Sequence, residues 1–522
     1  MQKAMSTFVM LTALVGLVPA CSGIYEGNSE SVNPREQTDP LKPKPYEIRI
    51  AVRSALLPYV ETANNINETR LVRKLNELTN VTLNFKVYPQ NQYNAKLAQM
   101  FALNDLPDVI QGGQPYQREM IGAVEAGVFL PLDDLLKEHA PNLLKLVPEE
   151  AWDMVRHEGK IYALPAWMSN TGRRATFMRM DLLKQTGLPQ PRTVEEYLEV
   201  MRAMKKMGVP YPFGGRVNFE YSDIFFHAYN VFPGYWKIEN DQVVPNFFDV
   251  ENMTKALQMY RTMYEEGLIH PDFALLSGND YANNIISGNS AIFQANANTL
   301  LSFTDRIRLK IPDAELAIVP SPTGPDGKGG NSLVNPVIRG YYVNKNAEDP
   351  ARIIRFFDWM ATEEAQTFFT FGVEGEDYTM KDGVLHYHSP QSEEQLNEER
   401  FRTEWLWMVR DFTYVKGLVE RSGTGKKLIE ATEHVLSKEG RDTVEFLPEL
   451  NANMKYLDAR VGSRAAISKD ILKPIVKIIY GDQPVDSWPR VIEEWKKNGG
   501  QAILEEANER FRRGEGVIIP LR

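Results

Sequence analysis

Between Tyr46 and Gly113 the hydrophobic period alternates between the two-residue repeat of a strand and the 3.6-residue repeat of a helix. Tyr46 to Arg53 (YEIRIAVR) alternates apolar and polar residues, and Leu71, Leu75 and Leu78 follow at helical spacing. Val81 to Tyr88 (VTLNFKVY) reads as a second strand and Tyr93 to Leu103 as a second helix. Asp108-Val109-Ile110 is a short buried strand running into Gln111-Gly112-Gly113. A β-α-β-α-β order with short loops requires a mostly parallel sheet covered on both faces, so the fold class is α/β.

The pattern resumes near Arg174. Residues 174–180 form a strand, and Asp181 starts a short helix that stops at Gly187. Thr193-Val194-Glu195-Glu196 is a capping box, followed by Tyr197, Val200, Met201 and Met204 on one helical face and by Gly208 at the end. Tyr235 to Val244 predicts a hairpin turning at Asn240-Asp241. Strands follow at Glu315–Val319, before the turn-rich Pro320 segment, and at Arg339–Asn344. Pro350 then opens a helix whose inner face carries Ile353, Ile354, Phe357 and Met360. Beyond Phe371 the chain is helical and more charged, without an internal repeat.

The N-terminus has a different character. Lys3 precedes an apolar run from Ala4 to Ala20, which ends Leu17-Val18-Pro19-Ala20-Cys21. This predicts a secretory signal over residues 1–20 that closes in a lipobox, with Cys21 as the diacylated residue. An ordinary signal peptide with an incidental Cys, or an uncleaved anchor helix, would share the same apolar run. Cys21 is the one cysteine of 522 residues, which removes any disulfide framework. Residues 21–45 carry four prolines and few large apolar groups, the composition of an extended tether. A net charge of -10 and the lack of a basic run argue against nucleic acid. Seven His and one Cys show no metal-ligand spacing, and no phosphate loop, dinucleotide fingerprint or nucleophile elbow occurs, so no cofactor is expected.

Several segments are then distinctive in their order. They are Leu106-Pro107-Asp108-Val109-Ile110, Gly159-Lys160-Ile161-Tyr162-Ala163-Leu164-Pro165, and Arg179-Met180-Asp181-Leu182-Leu183 through Pro191-Arg192-Thr193. Gly288-Asn289-Ser290-Ala291-Ile292, Val319-Pro320, Gly372-Val373-Glu374-Gly375-Glu376-Asp377-Tyr378 and Ile478-Ile479-Tyr480-Gly481 follow, with Trp488, Trp495, Gly499-Gly500 and Glu505. In this order the chain resembles the extracellular solute-binding proteins (family 1) of carbohydrate ABC importers, in the large lipoprotein branch with alginate- and pectin-oligosaccharide receptors. The resemblance implies a two-lobed periplasmic-binding-protein-like fold of type II, with a hinge, a ligand cleft and extra C-terminal helices. The crossings would fall near Pro165 and Pro320, giving lobe 1 as 46–165 plus 320–365 and lobe 2 as 166–319 plus 366–522. It further implies a monomer, held by its lipid on the outer face of the cell membrane, that binds an oligosaccharide and delivers it to permease subunits. Alginate receptors of this branch carry calcium, but no Asp-x-Asn-x-Asp loop supports a metal here.

A sugar cleft needs aromatic platforms beside planar hydrogen-bonding groups. Loops after the strands offer Tyr59, Gln111, Gln114, Trp167, Asn170, Arg173 and Arg174 on the first side. Tyr221, Asn296, Arg339, Tyr341, Glu374 and Tyr378 are the remaining candidates. Each has a plainer reading: the aromatics as core, the 372–378 motif as a tight turn, and Arg173-Arg174 as surface charge rather than a carboxylate clamp. Trp405, Trp407, Trp488 and Trp495 read as scaffold. The rival reading is an anchored surface enzyme, and a glycosidase would need two carboxylates flanking the scissile bond. Asp133-Asp134 and Glu374/Glu376/Asp377 are the clusters that qualify, and neither has an evident opposing partner, so no enzyme is expected. A sensor that presents sugar to a membrane partner, or a peptide receptor, would fit the same fold.

Overall fold

The computed structural model describes residues 45–446, 448–462 and 467–519; Cys21 and most of the proposed tether lie outside them. Strands β1 (Tyr46–Arg53) and β2 (Val81–Tyr88) pair in parallel, in register from Tyr46↔Val81 to Arg53↔Tyr88. They are joined by β3 (Val109–Gly112), β4 (Leu164–Trp167) and, much later in the chain, β8 (Val337–Val343) in a five-stranded sheet ordered β2-β1-β3-β8-β4. β8 runs antiparallel to both its neighbours. Its beginning therefore lies beside the C-terminal ends of β1, β3 and β4.

The second sheet has three strands, β5 (Arg174–Arg179), β6 (Ile292–Asn296) and β7 (Leu316–Val319), with β5 central and antiparallel to both. A further four-stranded sheet contains the hairpin Trp236–Glu239 and Gln242–Pro245. Asn240 and Asp241 both have positive φ, 51° and 57°, as a type I′ turn requires, which is why Asn-Asp marked the hairpin in the sequence. The capping box forms as predicted: Glu196 N donates to Thr193 Oγ1 at 3.2 Å and Thr193 N to Glu196 Oε2 at 3.1 Å. The predicted Pro350 helix spans Pro350–Trp359, capped by Asp349, and buries Ile353, Ile354 and Phe357.

One hydrophobic core packs the first sheet and a second packs helices around residues 178–319 and 444–507, with a smaller cluster beside β5 and β6. The cores divide the C-terminal half differently from the expected boundary at 366. Phe368, Phe369, Phe401, Trp405, Leu406 and Val409 pack into the first core, because the helix Glu363–Phe371 and the 401–406 turn lie against it. Trp488 and Trp495 are fully buried in the second core, as scaffold.

The chain passes between the cores three times, at 168–173, 320–336 and 410–418. The three passes lie side by side. Trp167 N donates to Arg410 O at 3.2 Å and Phe412 N to Trp167 O at 2.7 Å, while Met168 N reaches Pro336 O at 2.8 Å and Val334 N reaches Thr171 O at 3.1 Å. The sequence reading expected crossings near Pro165 and Pro320 and none at 410–418.

Candidate functional site

Ligands of open α/β sheets sit outside the C-terminal ends of the strands. At that end of the first sheet stand Arg53, Gln111, Trp167 and, on the opening residues of β8, Arg339 and Tyr341. Gly340 faces Gly112 there, and a Cβ on Gly340 would lie 2.8 Å from Gly113 O, so backbone packs closely under the site.

Most of the amide and phenol groups expected to face ligand are spent on one another. Gln111 Nε2 donates to Tyr341 Oη at 3.0 Å, and Gln111 Oε1 accepts from Arg53 N at 3.2 Å. Gln114 Nε2 donates to Val337 O at 3.0 Å, and its Oε1 accepts from Gln117 Nε2 at 2.8 Å. Trp167 is 3% exposed and belongs to the first core, so its ring is not an open platform. These residues tie β3, β4 and β8 into a fixed floor.

The cationic groups are different. Arg53 and Arg339 are half-buried and Arg410 is buried. The Arg339 and Arg410 guanidinium carbons lie 5.0 and 3.7 Å from the centroid of the half-buried Phe412 ring. Burial pushes the Arg410 pKa down to about 10; the Glu404 charge opposes the fall and the neighbouring Arg339 charge adds to it. Burial also lowers Arg53, again with Arg339 contributing. The three charges therefore share one site.

Across the passes, the second sheet presents a paired set. Arg174 opens β5 opposite Asn296, which closes β6. Arg174 Nη1 donates to the buried Asp223 Oδ2 at 3.0 Å, and its guanidinium lies 4.8 Å from the Tyr221 ring centroid. Tyr221 Oη donates to Asn296 Oδ1 at 3.2 Å. Gln294 Nε2 also donates to Asp223, at 3.0 Å. Burial opposes the Arg174 charge, but Asp223 outweighs it and holds the pKa above the usual range. Arg174, Tyr221 and Asn296 are thus brought together, with the arginine already neutralised.

Between the two sets, Met168, Asn170, Arg173, Asn298, Phe412 and Thr413 line a narrow cavity. Arg173 is exposed, while Asn170 Oδ1 accepts from Gly172 N at 2.8 Å and Asn170 N donates to Thr413 Oγ1 at 3.2 Å. Asn298 Oδ1 is buried without a hydrogen-bond partner, as are Arg53 Nε and Arg410 Nε. Arg53, Asn298, Arg410 and Phe412 were not among the expected site residues. Arg53 ends a predicted strand and Asn298 closely follows another, so both were open to the strand-end rule; Arg410 and Phe412 depend on the third pass.

Tyr59, Glu374 and Tyr378 belong to another arrangement. Tyr59 stacks on Phe401 at 4.7 Å and donates to Glu398 Oε1 at 3.1 Å. Arg70 bonds to Asp377 at 2.8 Å and to Glu398 at 2.7 Å. Burial raises the Asp377 pKa, and Arg70 more than reverses this, leaving it below the usual carboxylate range. Gly372 (φ 91°) and Gly375 (φ 83°) turn the chain so that Val373 N reaches Asp377 Oδ2 at 2.8 Å. Glu374 is exposed on this turn and Tyr378 starts the hairpin after it. The 372–378 motif therefore builds an ion-pair lock.

Among the described residues no helix is long and apolar enough to cross a membrane, and no group of three or more His, Cys, Asp or Glu is placed to hold a metal.

Comparison with known proteins agrees with this architecture. The chain is 23% identical over 482 residues to lipoprotein LipO of Bacillus subtilis (strain 168), covering 87% of this chain and 91% of LipO. It is 22% identical to the polygalacturonan/rhamnogalacturonan-binding protein YtcQ of the same organism, over 85% of this chain and 89% of YtcQ. Among solved structures, alginate-binding protein AlgQ2 without calcium ion superposes with a TM-score of 0.64 at 19% identity, over 90% of this chain and 99% of AlgQ2. The fold is thus the two-lobed α/β fold of solute-binding proteins. Residues 64–367, more than half of the chain, match the family described as bacterial extracellular solute-binding protein, and the chain belongs to that family.

Proposed function

We propose that this protein captures an oligosaccharide between its two lobes and hands it to the permease subunits of an ABC importer. The observation that carries the reading is the set of unspent polar groups, Arg53, Arg410 and Asn298, gathered where three chain passes join the two cores. Lobe 1 comprises about 45–167 plus 337–409, and lobe 2 about 175–319 plus 419–519. Three adjacent chain passes join the lobes, so closure by hinge motion around a ligand is the natural response to binding. Relatives named for polygalacturonan/rhamnogalacturonan binding and for fructooligosaccharide transport support a sugar ligand. The site holds its ligand without cleaving it, and lipid on Cys21 keeps the monomer at the outer face of the membrane.

The test is a thermal-shift and scattering screen of the purified chain against neutral and acidic oligosaccharides, with peptides as controls. One oligosaccharide class raises the melting midpoint, reduces the radius of gyration and is recovered intact. A shift with peptides alone, or conversion of the sugar to products, defeats the proposal. Replacement Cys21→Ser abolishes palmitate incorporation if the anchor is as proposed.

A further inference from the structure

Five arginines are buried among the described residues: Arg179, Arg402, Arg410, Arg441 and Arg510. Four of them reach a carboxylate. Arg179 meets Asp181, Arg402 lies 3.9 Å from Asp377, Arg441 meets Asp326, and Arg510 meets Glu515. Arg410, 4% exposed, has only the carbonyl of Asp411 at 2.7 Å and the faces of Phe412 and Trp407. Its Nε has no partner. Burying a guanidinium costs stability unless an anion and hydrogen bonds compensate it. Two further cations make the deficit larger, since Arg339 shares the Phe412 ring and Arg53 brings a second orphaned Nε.

The acids of this neighbourhood are committed elsewhere or stand off. Glu404 is held by Arg400 at 3.2 Å, and Asp411 Oδ1 accepts from Ser169 N at 3.1 Å and Thr413 N at 2.8 Å. Glu119 acts on Arg53 only through its field, without an ion pair. Glu404 and Asp411 likewise act on Arg410 through their field, not through an ion pair. Among the described residues the chain thus gathers three guanidinium groups at the strand ends and pairs none of them with a carboxylate.

We infer that Arg53, Arg339 and Arg410 form an anion subsite, and that the oligosaccharide taken by this protein carries a carboxylate, as a uronic acid does. The inference rests on the sugar-capture reading above and adds the chemical class. Guanidinium pairs with carboxylate through two parallel N–H···O bonds, which gives orientation as well as charge recognition. Arg174, already neutralised by Asp223, is not part of this subsite.

Calorimetric titration of the purified chain tests it, with tetragalacturonate, tetramannuronate and tetraguluronate, their methyl esters, a sulfated neutral tetramer and unmodified neutral tetramers. At least one uronate binds ten times more tightly than its ester. Arg339→Gln and Arg410→Met each weaken that uronate at least tenfold, yet ligand-free Arg410→Met melts at or above the parent, because it loses an uncompensated buried charge. A scaffold arginine would instead lower the melting point on replacement, and that result overturns the inference. So do equal binding of acid and ester, unchanged uronate affinity in the folded Arg339→Gln protein, binding of the sulfated tetramer alone, or failure of all three uronates. In that last case, binding of a neutral oligosaccharide leaves sugar capture standing, and absence of any carbohydrate binding removes both.

Discussion

Replacing Asp223 with Ala separates the second-lobe network from its anion. Asp223 is fully buried, accepts from Arg174 Nη1 and Gln294 Nε2 at 3.0 Å each, and lies 3.4 Å from His227 Nε2. Burial alone raises its pKa; His227, Arg174 and Gln294 outweigh burial and leave it depressed. A carboxyl depressed in the folded state contributes stability above its unfolded pKa of about 3.9 and loses it as pH falls through the folded value. The Ala variant also strands Arg174, whose side chain is 12% exposed, and breaking a buried pair costs about 3–5 kcal/mol. A cooperative unit of about 150–250 residues loses about 2–4 °C of midpoint per kcal/mol, so the variant melts at least about 6 °C below the parent at pH 7. Scanning calorimetry at pH 7 and pH 3 checks this, with the deficit narrowing at pH 3, where the parent has lost part of the same contribution. A deficit below about 2 °C at pH 7 refutes the view that this pair holds the lobe's ligand-facing edge.

Other expectations follow from the same kind of reasoning. Burial raises the Glu439 pKa to about 7, against the opposing bonds it accepts from Ser321 N at 2.9 Å and Ser321 Oγ at 2.7 Å. Its folded form holds the proton more tightly than the unfolded one, so stability is lost as pH rises from about 4.5 through 7. Urea denaturation of Glu439→Gln at pH 5 and pH 8 should show a pH-dependent loss smaller than the parent's by about 3 kcal/mol; parallel losses contradict the assignment. Gly372→Ala meets a positive φ of 91° and places a Cβ 2.1 Å from Asp377 Oδ2, so it costs about 2 kcal/mol or more and loosens the Arg70 lock, read by denaturation at two salt concentrations. Thr193→Ala removes one half of the capping box and lowers stability by about 1 kcal/mol without changing ligand affinity, as titration of the same protein verifies.

Local chemistry was legible wherever a few adjacent residues decide the outcome. Asn240-Asp241 turns its hairpin because two successive left-handed residues suit the strand twist, and Thr193 with Glu196 closes its own cap. β1 through β3 followed from period alone. The errors begin where partners lie far apart in the chain. Phe401 and Trp405 sit some three hundred residues beyond β2, yet Trp405 packs 4.9 Å from Phe85, and nothing near residue 405 announces that contact. The boundary drawn at 366 failed for this reason, and with it the third pass through Arg410 and Phe412.

The site residues divide along the same physical line. Gln111, Gln114 and Tyr341 have the hydrogen-bonding chemistry expected of a sugar site, but composition cannot reveal that they satisfy one another. A polar side chain at a strand end is available to ligand only if its donors remain unspent after folding. By that criterion Gln111 and Arg174 are scaffold, although both stand where binding residues are sought. Arg410 lies in a stretch that reads as helical packing, and its neighbours Trp407 and Phe412 bury it without offering a full complement of acceptors. A scaffold is under pressure to close its hydrogen bonds within the chain. A receptor gains affinity from leaving a few of them open, because the ligand then supplies what the fold withholds. The stability forfeited at Arg410 is therefore the quantity to compare with the affinity gained there.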